Sequence, residues 1–225
     1  MNIAIIPARM GSQRLARKNL RELGGVPLIV RAIRKCVAAG CFDEIWVNSE
    51  HPDFEPIAGA EGAFFHRRPS ELGSNTATSE QYIAEFLGKH ECERVYQVHS
   101  IAPFVTVEDL RRFVAFATES DYDCVLSTED IQIECLYRGE PVNFTYAEKT
   151  NSQDLLPVQR VSWSITGWRR SAYLGAIEAG KCATYAGKVG YFALNKLASH
   201  VIKTEADLRF AEALLTISQE LESGD

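Results

Sequence analysis

The chain has 225 residues, of which 46% are hydrophobic and 24% are charged, with a formal net charge of -6 and a pI near 5.5. This length and composition are typical of one folded domain and exclude an intrinsically disordered protein. A broad nucleic-acid-binding surface needs a marked excess of cationic side chains. The acidic balance argues against such a surface, so we expect no nucleic-acid partner.

The cysteines and the apolar runs indicate the cellular compartment in which the protein works. Six cysteines are present without a CxxC pairing, in segments with core-like patterns, which is typical of reduced and mostly buried thiols. The sequence opens on the strand-like residues 2–6, and no later apolar run has the length that spans a bilayer. We therefore expect a cytoplasmic protein with no membrane partner.

The first half alternates short β-rich runs with helical patterns, as βαβ units around a mostly parallel sheet do. Apolar residues recur at helical spacing after Pro27, and Gly40 stands where a helix end uses left-handed backbone geometry. Thr106 followed by Asp109 predicts a capping box at a later helix start. In chain order we predict a strand at 3–7, a helix from 27, strands at 44–48 and 63–65, a helix at 78–88, a strand at 94–98, a helix from 106 to about 118, and a strand at 124–127.

The pattern changes between roughly residues 129 and 160, where polar, extended sequence with turn punctuation at 139–141 shows no helical periodicity. This stretch is predicted to leave the main fold. A helix at 170–179, a strand at 189–194 and a helix from 205 to 221 follow. Together these elements predict an α/β fold with a Rossmann-like, mostly parallel sheet flanked by helices, in which residues 1–225 form one domain and 129–160 protrude.

The segment from 7 to 20 carries the clearest chemical signal. It leaves the carboxyl end of the first strand, the edge where open α/β sheets bind ligands. Gly11 and Ser12 allow a tight turn whose N–H groups can point at phosphate oxygens, while Arg9 and Lys18 bring positive charge. It is neither a Walker A loop nor a GxGxxG fingerprint. From spacing alone, a phosphate-binding loop and a purely structural loop both stay open.

Four segments carry a family resemblance. They are PARMGSQRLARKNL at 7–20 with GVPLI at 25–29, RPSELGSNTAT at 68–78, NSQDLLP at 151–157 and TEADL at 204–208. The set resembles the CMP-N-acetylneuraminic acid synthetase family, the cytidylyltransferases that activate sialic acid and related acidic sugars. One difference is Asn75, which stands where the family commonly has an Asp.

The resemblance implies a fold of the nucleotide-diphospho-sugar transferase type and transfer of CMP from CTP to the anomeric hydroxyl of a sialic-acid-like sugar, with release of pyrophosphate. It implies a set of nucleotide contacts: Ala8, Arg9, Gly11, Ser12, Lys18, Asn19, Arg68 and Asn75. Arg9 and Lys18 would carry the catalytic charge. It also implies a homodimer, in which Gln153 on the protruding region either contacts the partner's acceptor or only packs in the interface.

Some positions depart from the family pattern. Mg2+ is expected from the resemblance, but the usual Asp positions are Val201 and Lys203 here, so the metal and its ligands stay unknown. Lys203 is either a catalytic ammonium near the α-phosphate or a surface lysine. His99 and Ser164 fall in altered acceptor-side segments and are predicted acceptor contacts, although a histidine satisfied by a neighbouring backbone group is the alternative for His99.

These departures leave three functions open. The first is an active cytidylyltransferase for a sialic-acid-like sugar, which the intact loop at 7–20 favours. The second is a diverged nucleotidyltransferase with another acceptor or nucleotide, and the third is a catalytically silent nucleotide-binding homologue. The altered acceptor and metal positions favour the latter two.

Overall fold

The computed structural model describes residues 1–223. Within that range the strands are β1 (Asn2–Pro7), β2 (Glu22–Leu23), β3 (Val26–Pro27), β4 (Glu44–Ser49), β5 (Phe64–Arg67), β6 (Arg94–Val98), β7 (Cys124–Ile131), β8 (Leu136–Tyr137), β9 (Glu140–Pro141), β10 (Val158–Arg169) and β11 (Val189–Leu194). The helices are α1 (Leu28–Ala39), α2 (Phe54–Ala60), α3 (Ser79–Leu87), α4 (Val107–Glu119), α5 (Arg170–Glu178) and α6 (Glu205–Ser223).

Seven strands form one sheet in the order β11-β7-β10-β6-β1-β4-β5. All neighbours in it run parallel except β10, which is antiparallel to both β6 and β7. The prediction of a Rossmann-like, mostly parallel α/β sheet is confirmed. Among the helices that the structure describes, none combines the length and apolar character that crossing a bilayer requires.

The two faces of the sheet are covered by different helices. On β1, Ala4 and Ile6 belong to a core that also holds residues of α1 and α4, whereas Ile3 and Ile5 belong to a second core with residues of α3 and α5. Because both faces are buried, β1 is a continuous apolar run instead of an alternating one. The sheet is therefore the middle layer of three.

The helix ends follow the expected local chemistry. Gly40 ends α1 with φ 61°, the left-handed conformation that glycine adopts without strain. Thr106 and Asp109 form the predicted capping box of α4, and Thr78 with Gln81 forms another at α3. These caps fix where each helix begins beside the carboxyl edge of the sheet.

Besides the two-residue strands β2, β3, β8 and β9, two longer elements were missed from the sequence. One is α2, a short helix that contains both a proline and a glycine, FEPIAGA, and so lacks a clear helical signal. The other is β10, whose serine-rich sequence is interrupted by an irregular register between Val161 and Thr166 and by Trp163 at φ 59°. A bulge of this kind breaks the alternation by which a strand is recognised.

The predicted protrusion is anchored by the sheet itself. β7 continues to Ile131, and β10 begins at Val158, with these two residues paired. The first and last residues of 129–160 therefore extend two strands of the sheet, and residues 132–157, with the small β8–β9 hairpin, lie between them.

Candidate active site

The loop that follows β1 is fixed at both ends. Leu15 is buried in a small core with residues of α1 and α6, and a 3-10 turn at Lys18–Leu20 closes the loop. The amide of Asn19 donates to the Arg9 carbonyl at 3.1 Å, and Ser100 donates to the Asn19 side-chain oxygen at 2.8 Å. Asn19 thus ties the loop to the residues that follow β6, across the carboxyl edge of the sheet.

A buried ion pair holds the middle of the site. The guanidinium of Arg68 donates to Glu50 at 2.9 Å and to Asn48 at 2.9 Å, and it stacks over the ring of Tyr82 at 4.9 Å. The other Glu50 oxygen accepts from the backbone N–H of Met10 at 2.9 Å. The charge of Arg68 is already balanced, so the structure gives it the role of holding the loop.

Glu50 was missed in the sequence. It directly follows β4 at the carboxyl edge, and that position is the signal that could have pointed to it. The side chain also lies against Gly73, where an added Cβ would come within 2.5 Å of two Glu50 carbons. Glycine at 73 is therefore what lets the 70–73 turn approach this carboxylate.

Arg9 bridges two loops. Its guanidinium donates to the Ser74 carbonyl at 3.2 Å and to the Asn75 side-chain oxygen at 3.0 Å. The segments around 9 and 75, predicted separately as nucleotide contacts, therefore meet. Because both acceptors are neutral, the positive charge of Arg9 is not cancelled by these bonds.

Between these segments lies a cavity of about 310 Å³, here called the loop cavity. Seven of the predicted nucleotide contacts line it, namely Ala8, Arg9, Ser12, Lys18, Asn19, Arg68 and Asn75. Gly11 does not line it, and nothing lies within 4 Å of where its Cβ would be. Across residues 1–223 we find no hydrogen-bond partner for the backbone N–H groups of residues 11–14, so they are available to an anion.

In the loop cavity, Lys18 is partly buried and has other cations around it. Its pKa is lowered first by burial and then by three neighbouring cations, Arg14, Arg9 and Lys203. Cations held together in this way repel one another until an anion lies between them. The geometry therefore favours a ligand with several negative charges.

His99 lies at the end of β6, beside the loop cavity. The Gln97 amide nitrogen donates to Tyr82 at 3.1 Å and to the Nε2 atom of His99 at 2.6 Å. Nε2 then acts as an acceptor, which leaves the proton of a neutral imidazole on Nδ1. Burial, together with Lys18, lowers the pKa of His99 to about 4. The alternative expected from the sequence was a His99 ring bonded to a neighbouring backbone group. In the structure the ring is bonded to the side-chain amide of Gln97 instead.

A second cavity of about 280 Å³, here called the β10 cavity, adjoins the first. Both cavities are lined by Ser79, His99 and Ile101, so they share a wall. Lys203 and Val201 line the β10 cavity. The backbone N–H of Ile202 donates to Ile101 at 2.8 Å, which fixes the Lys203 segment against this wall.

Two predicted acceptor contacts lie outside both cavities. Ser164 is fully buried in β10, and its hydroxyl donates to the Ala198 carbonyl at 2.8 Å. Gln153 is exposed in the turn Ser152–Asp154, where its carbonyl accepts from Gln132 at 3.0 Å. Of the three predicted acceptor contacts, only His99 is among the described residues that line these cavities.

The described residues do not offer the oxygen donors that a protein-held Mg2+ needs. No Asp or Glu lines the described walls of either cavity, and the side chains that the structure describes, those of residues 1–217, contain no cluster of three metal-ligating groups. The neighbouring Glu50 is paired with Arg68, and Asp207 accepts three hydrogen bonds from residues 203 and 204 at 2.8–2.9 Å. Hard divalent cations need carboxylates that are free to coordinate, so this site does not fit a metal held by the chain.

Comparison with known proteins agrees with this geometry. The family described as Cytidylyltransferase matches residues 3–214. N-acylneuraminate cytidylyltransferase A of Danio rerio is 34% identical over 160 residues, which cover 67% of this chain and 37% of that protein. 3-Deoxy-manno-octulosonate cytidylyltransferase of Gemmatimonas aurantiaca is 28% identical over 149 residues, 65% of this chain and 56% of that protein.

The curated relatives are longer than this chain, which spans between 37% and 56% of these two. Among solved structures, a CMP:2-keto-3-deoxy-manno-octonic acid synthetase complexed with CTP superposes with a TM-score of 0.72 at 17% identity, covering 96% of this chain and 99% of that one. A likeness at this identity supports the fold. The match over residues 3–214 covers nearly the whole sequence and every cavity-lining segment, and the chain therefore belongs to the cytidylyltransferase family.

Proposed function

We propose that this chain transfers CMP from CTP to the anomeric hydroxyl of a sialic-acid-like acidic sugar. The hydroxyl oxygen forms a bond to the α-phosphorus of CTP, and the bond from that phosphorus to the oxygen bridging to the β-phosphate breaks. Pyrophosphate leaves with the electron pair, and the hydroxyl proton passes to water. Such a step depends mainly on positioning and on charge stabilisation.

The loop cavity supports the nucleotide half of this proposal. Its walls combine the unpaired backbone N–H group of Ser12 with the cations Arg9 and Lys18, which is the chemistry that binds a triphosphate. Asn19 and the Glu50–Arg68 pair hold these groups in place before a ligand arrives. A site organised in advance loses less free energy to ordering on binding.

The β10 cavity supports the acceptor half. Trp163, which is 36% exposed, offers a ring face to a sugar, and Gln97 and Ser162 bring polar side chains to the same walls. Neutral His99 on the shared wall presents a donor but, with a pKa of about 4, is a weak base. We assign it the role of orienting the acceptor.

The observation that carries the proposal is that a cavity lined by Arg9 and Lys18 shares one wall with a second cavity, which Trp163 and Lys203 line. The test measures pyrophosphate release with each nucleoside triphosphate and a panel of acidic sugars. We expect release with CTP and a keto acid sugar. If no combination releases pyrophosphate although CTP binds, the chain is a silent nucleotide-binding protein, and if another pair is turned over, the substrate assignment is wrong.

Substitution of Lys18 tests the site within the same assay. Lys18→Ala removes a charge-assisted contact worth about 1.5–3 kcal/mol, so kcat/KM should fall by at least about tenfold. Lys181→Ala is the matched control, because Lys181 is also a lysine but is exposed at the end of α5, away from both cavities. Equal activity of the two variants would contradict the assignment of Lys18.

We also propose that the chain acts as a homodimer through residues 129–160, with residues 1–225 as one nucleotidyltransferase domain. Six large apolar side chains in or beside the β8–β9 hairpin are more than half exposed: Ile133, Leu136, Tyr137, Val142, Tyr146 and Leu156. Monomeric proteins rarely expose so many together. A second copy covering them would bring Gln153 toward the partner, which is the predicted contact in trans.

Sedimentation tests the dimer. Wild-type protein at micromolar concentration should sediment as a dimer, and Leu156→Asp, at a side chain that is 80% exposed, should shift it toward monomer. Ile177→Asp is the control, since Ile177 is 38% exposed on α5. A wild-type monomer, or equal behaviour of both variants, would refute this interface.

The compartment that we propose is the cytoplasm. All six cysteines are free in the described chain, and burial raises the pKa of Cys92 to about 11 and of Cys124 to about 12, which keeps both as unreactive thiols. Free thiols that do not pair are typical of a reducing compartment.

A further inference from the structure

The shared wall of the two cavities is where the transferred phosphate must lie if the proposed function holds. The nucleotide occupies the loop cavity and the acceptor occupies the β10 cavity, so the attacked phosphorus has to be within reach of both. His99 and Ile101 form part of this wall. Lys18 lines the first cavity and Lys203 lines the second. Each of the two cavities that border this wall is therefore lined by a lysine.

Both ammonium groups are free to bind an anion. Among the described side chains, those of residues 1–217, neither Nζ atom has a hydrogen-bond or ion-pair partner, whereas Lys149 and Lys188 each pair with a carboxylate. The repulsion between Lys18 and Lys203 is strong enough to contribute to the lowered pKa of Lys18. Because Lys18 and Lys203 are both unpaired and close enough to repel each other, they can bind a phosphate between them.

The backbone at 203 keeps this lysine near the wall. Asp207 accepts from the backbone N–H groups of Lys203 and Thr204 at 2.9 and 2.8 Å, and this bonding caps the start of α6. The carboxylate is thereby used in fixing the segment. Only the Lys203 side chain is left to face the cavity.

We infer that Lys18 and Lys203 together bind the transferred phosphate, and that the chain itself supplies there the positive charge that a cation held by protein carboxylates would otherwise supply. This inference rests on the proposed function. It follows from the two observations that no carboxylate lines the described walls and that an ammonium stands in each cavity. Any Mg2+ would then arrive with the nucleotide and not be required for the nucleotide to bind.

Calorimetric titration with CTP, in EDTA and again in Mg2+, tests the inference without relying on turnover. Wild-type protein should bind CTP in EDTA with an affinity similar to that in Mg2+. Lys203→Ala should weaken binding in EDTA by about tenfold, the loss expected for one charge-assisted contact. Lys181→Ala, which removes the same charge at an exposed residue that lines neither cavity, should leave both affinities unchanged.

Lys203→Asp gives a second readout that a purely structural role would not produce. A carboxylate beside Lys18 repels the triphosphate in EDTA but can share a divalent cation with it, so binding should become dependent on Mg2+. Unfolding midpoints of all variants check that each is folded.

Three outcomes would overturn the inference. Wild-type binding that needs Mg2+, or a Lys203→Ala variant that behaves like Lys181→Ala, would refute it while leaving the proposed function intact. If no triphosphate binds to the wild type in either buffer, the proposed function fails as well.

Discussion

Glu50 is the residue on which the position of the loop after β1 depends. It joins the Met10 backbone to Arg68, whose side chain is 3% exposed. Removing one partner of a buried ion pair leaves the other charged and without compensation. The loop and the segment at 68–75 are therefore expected to respond together to any change at this carboxylate.

Glu50→Gln keeps the shape of the side chain and removes its charge. We expect a loss of about 3 kcal/mol in the free energy of unfolding, because Arg68 is left buried without a counterion. Urea denaturation measures this loss. Glu61→Gln breaks the bidentate pair with the exposed Arg34 and serves as the control, with no measurable change expected. A loss as small as that of the control would show that the Glu50 pair is not structurally important.

His99 makes the stability of the protein depend on pH in the acidic range. Its pKa is lowered from an ordinary value near 6.5 to about 4 by burial and Lys18, so the unfolded chain takes up a proton first as the pH falls. The stability that the neutral ring contributes is complete above about pH 6.5 and is lost as the pH falls toward 4.

His99→Gln removes this titrating group. The difference in unfolding free energy between wild type and variant should shrink by up to about 3 kcal/mol between pH 7 and pH 4.5. Urea denaturation at both pH values gives the difference, and subtracting the variant cancels the titration of the other groups. A difference that stays constant with pH would contradict the depressed pKa.

At the scale of secondary-structure elements, the packing of β10 against β6 and α4 depends on a glycine. Gly167 is paired with Tyr96 of β6, and an added Cβ would lie 2.9 Å from the Tyr96 ring and 3.4 Å from Phe113. Neither ring is free to move, since Tyr96 and Phe113 are both fully buried. The close contact of α4 with the sheet depends on this missing side chain.

Gly167→Ala should therefore destabilise the protein by about 1–3 kcal/mol, the usual cost of overpacking a core. Gly175→Ala in α5 is the matched control, because nothing lies within 4 Å of its Cβ position. Since alanine favours helix, the control should be neutral or more stable by up to about 1 kcal/mol. The thermal unfolding midpoints of both variants measure this difference. Similar midpoints would show that the Tyr96 ring can move to make room for the added methyl group.

The same scale shows which elements can be read from sequence. The strands at β1, β6 and β11 and the helices α1, α3 and α4 were predicted within about two residues, because apolar periodicity and caps are local signals. β10 was not, since its place between β6 and β7 depends on pairing between distant residues, and its bulge hides the alternation.

Some features of the candidate site could likewise be predicted from the sequence, and others could not. Seven nucleotide contacts and Lys203 lie on cavity walls. Among them Ala8 directly follows β1 and Arg68 directly follows β5, where position alone indicates a site. The charge balance of Arg68 by Glu50 could not be predicted, because 18 residues and one strand separate the two. Ser164 was assigned to the acceptor, but its hydroxyl faces Ala198, since the bulge in β10 alters which side chains point into the cavity.

At the scale of the whole molecule, a net charge of -6 coexists with a concentrated positive region. The loop after β1 brings together Arg9, Arg14 and Lys18, and Lys203 lies near enough to repel Lys18. A local potential of this kind attracts an anionic ligand although the protein as a whole is acidic.

CTP binding should weaken as salt is added, because mobile ions screen this potential over about 10 Å at 0.1 M and about 3 Å at 1 M. Titration calorimetry at increasing NaCl measures the effect. Arg14→Gln should reduce the salt dependence, whereas Arg209→Gln, on the exposed face of α6, should leave it unchanged. An affinity independent of salt would show that the cationic region contributes little to binding.

The position of β10 has a consequence for how the chain assembles during synthesis. β6 and β7 do not bond to each other, and β10 is the strand that joins the β11–β7 pair to the rest of the sheet. A nascent polypeptide that ends before Val158 lacks both β10 and β11, so one edge of β6 and both edges of β7 have open hydrogen-bonding groups. Until β10 has left the ribosome, these open edges can pair with strands of other chains. The β6 side and the β7 side of the sheet can join into one layer only after β10 is available.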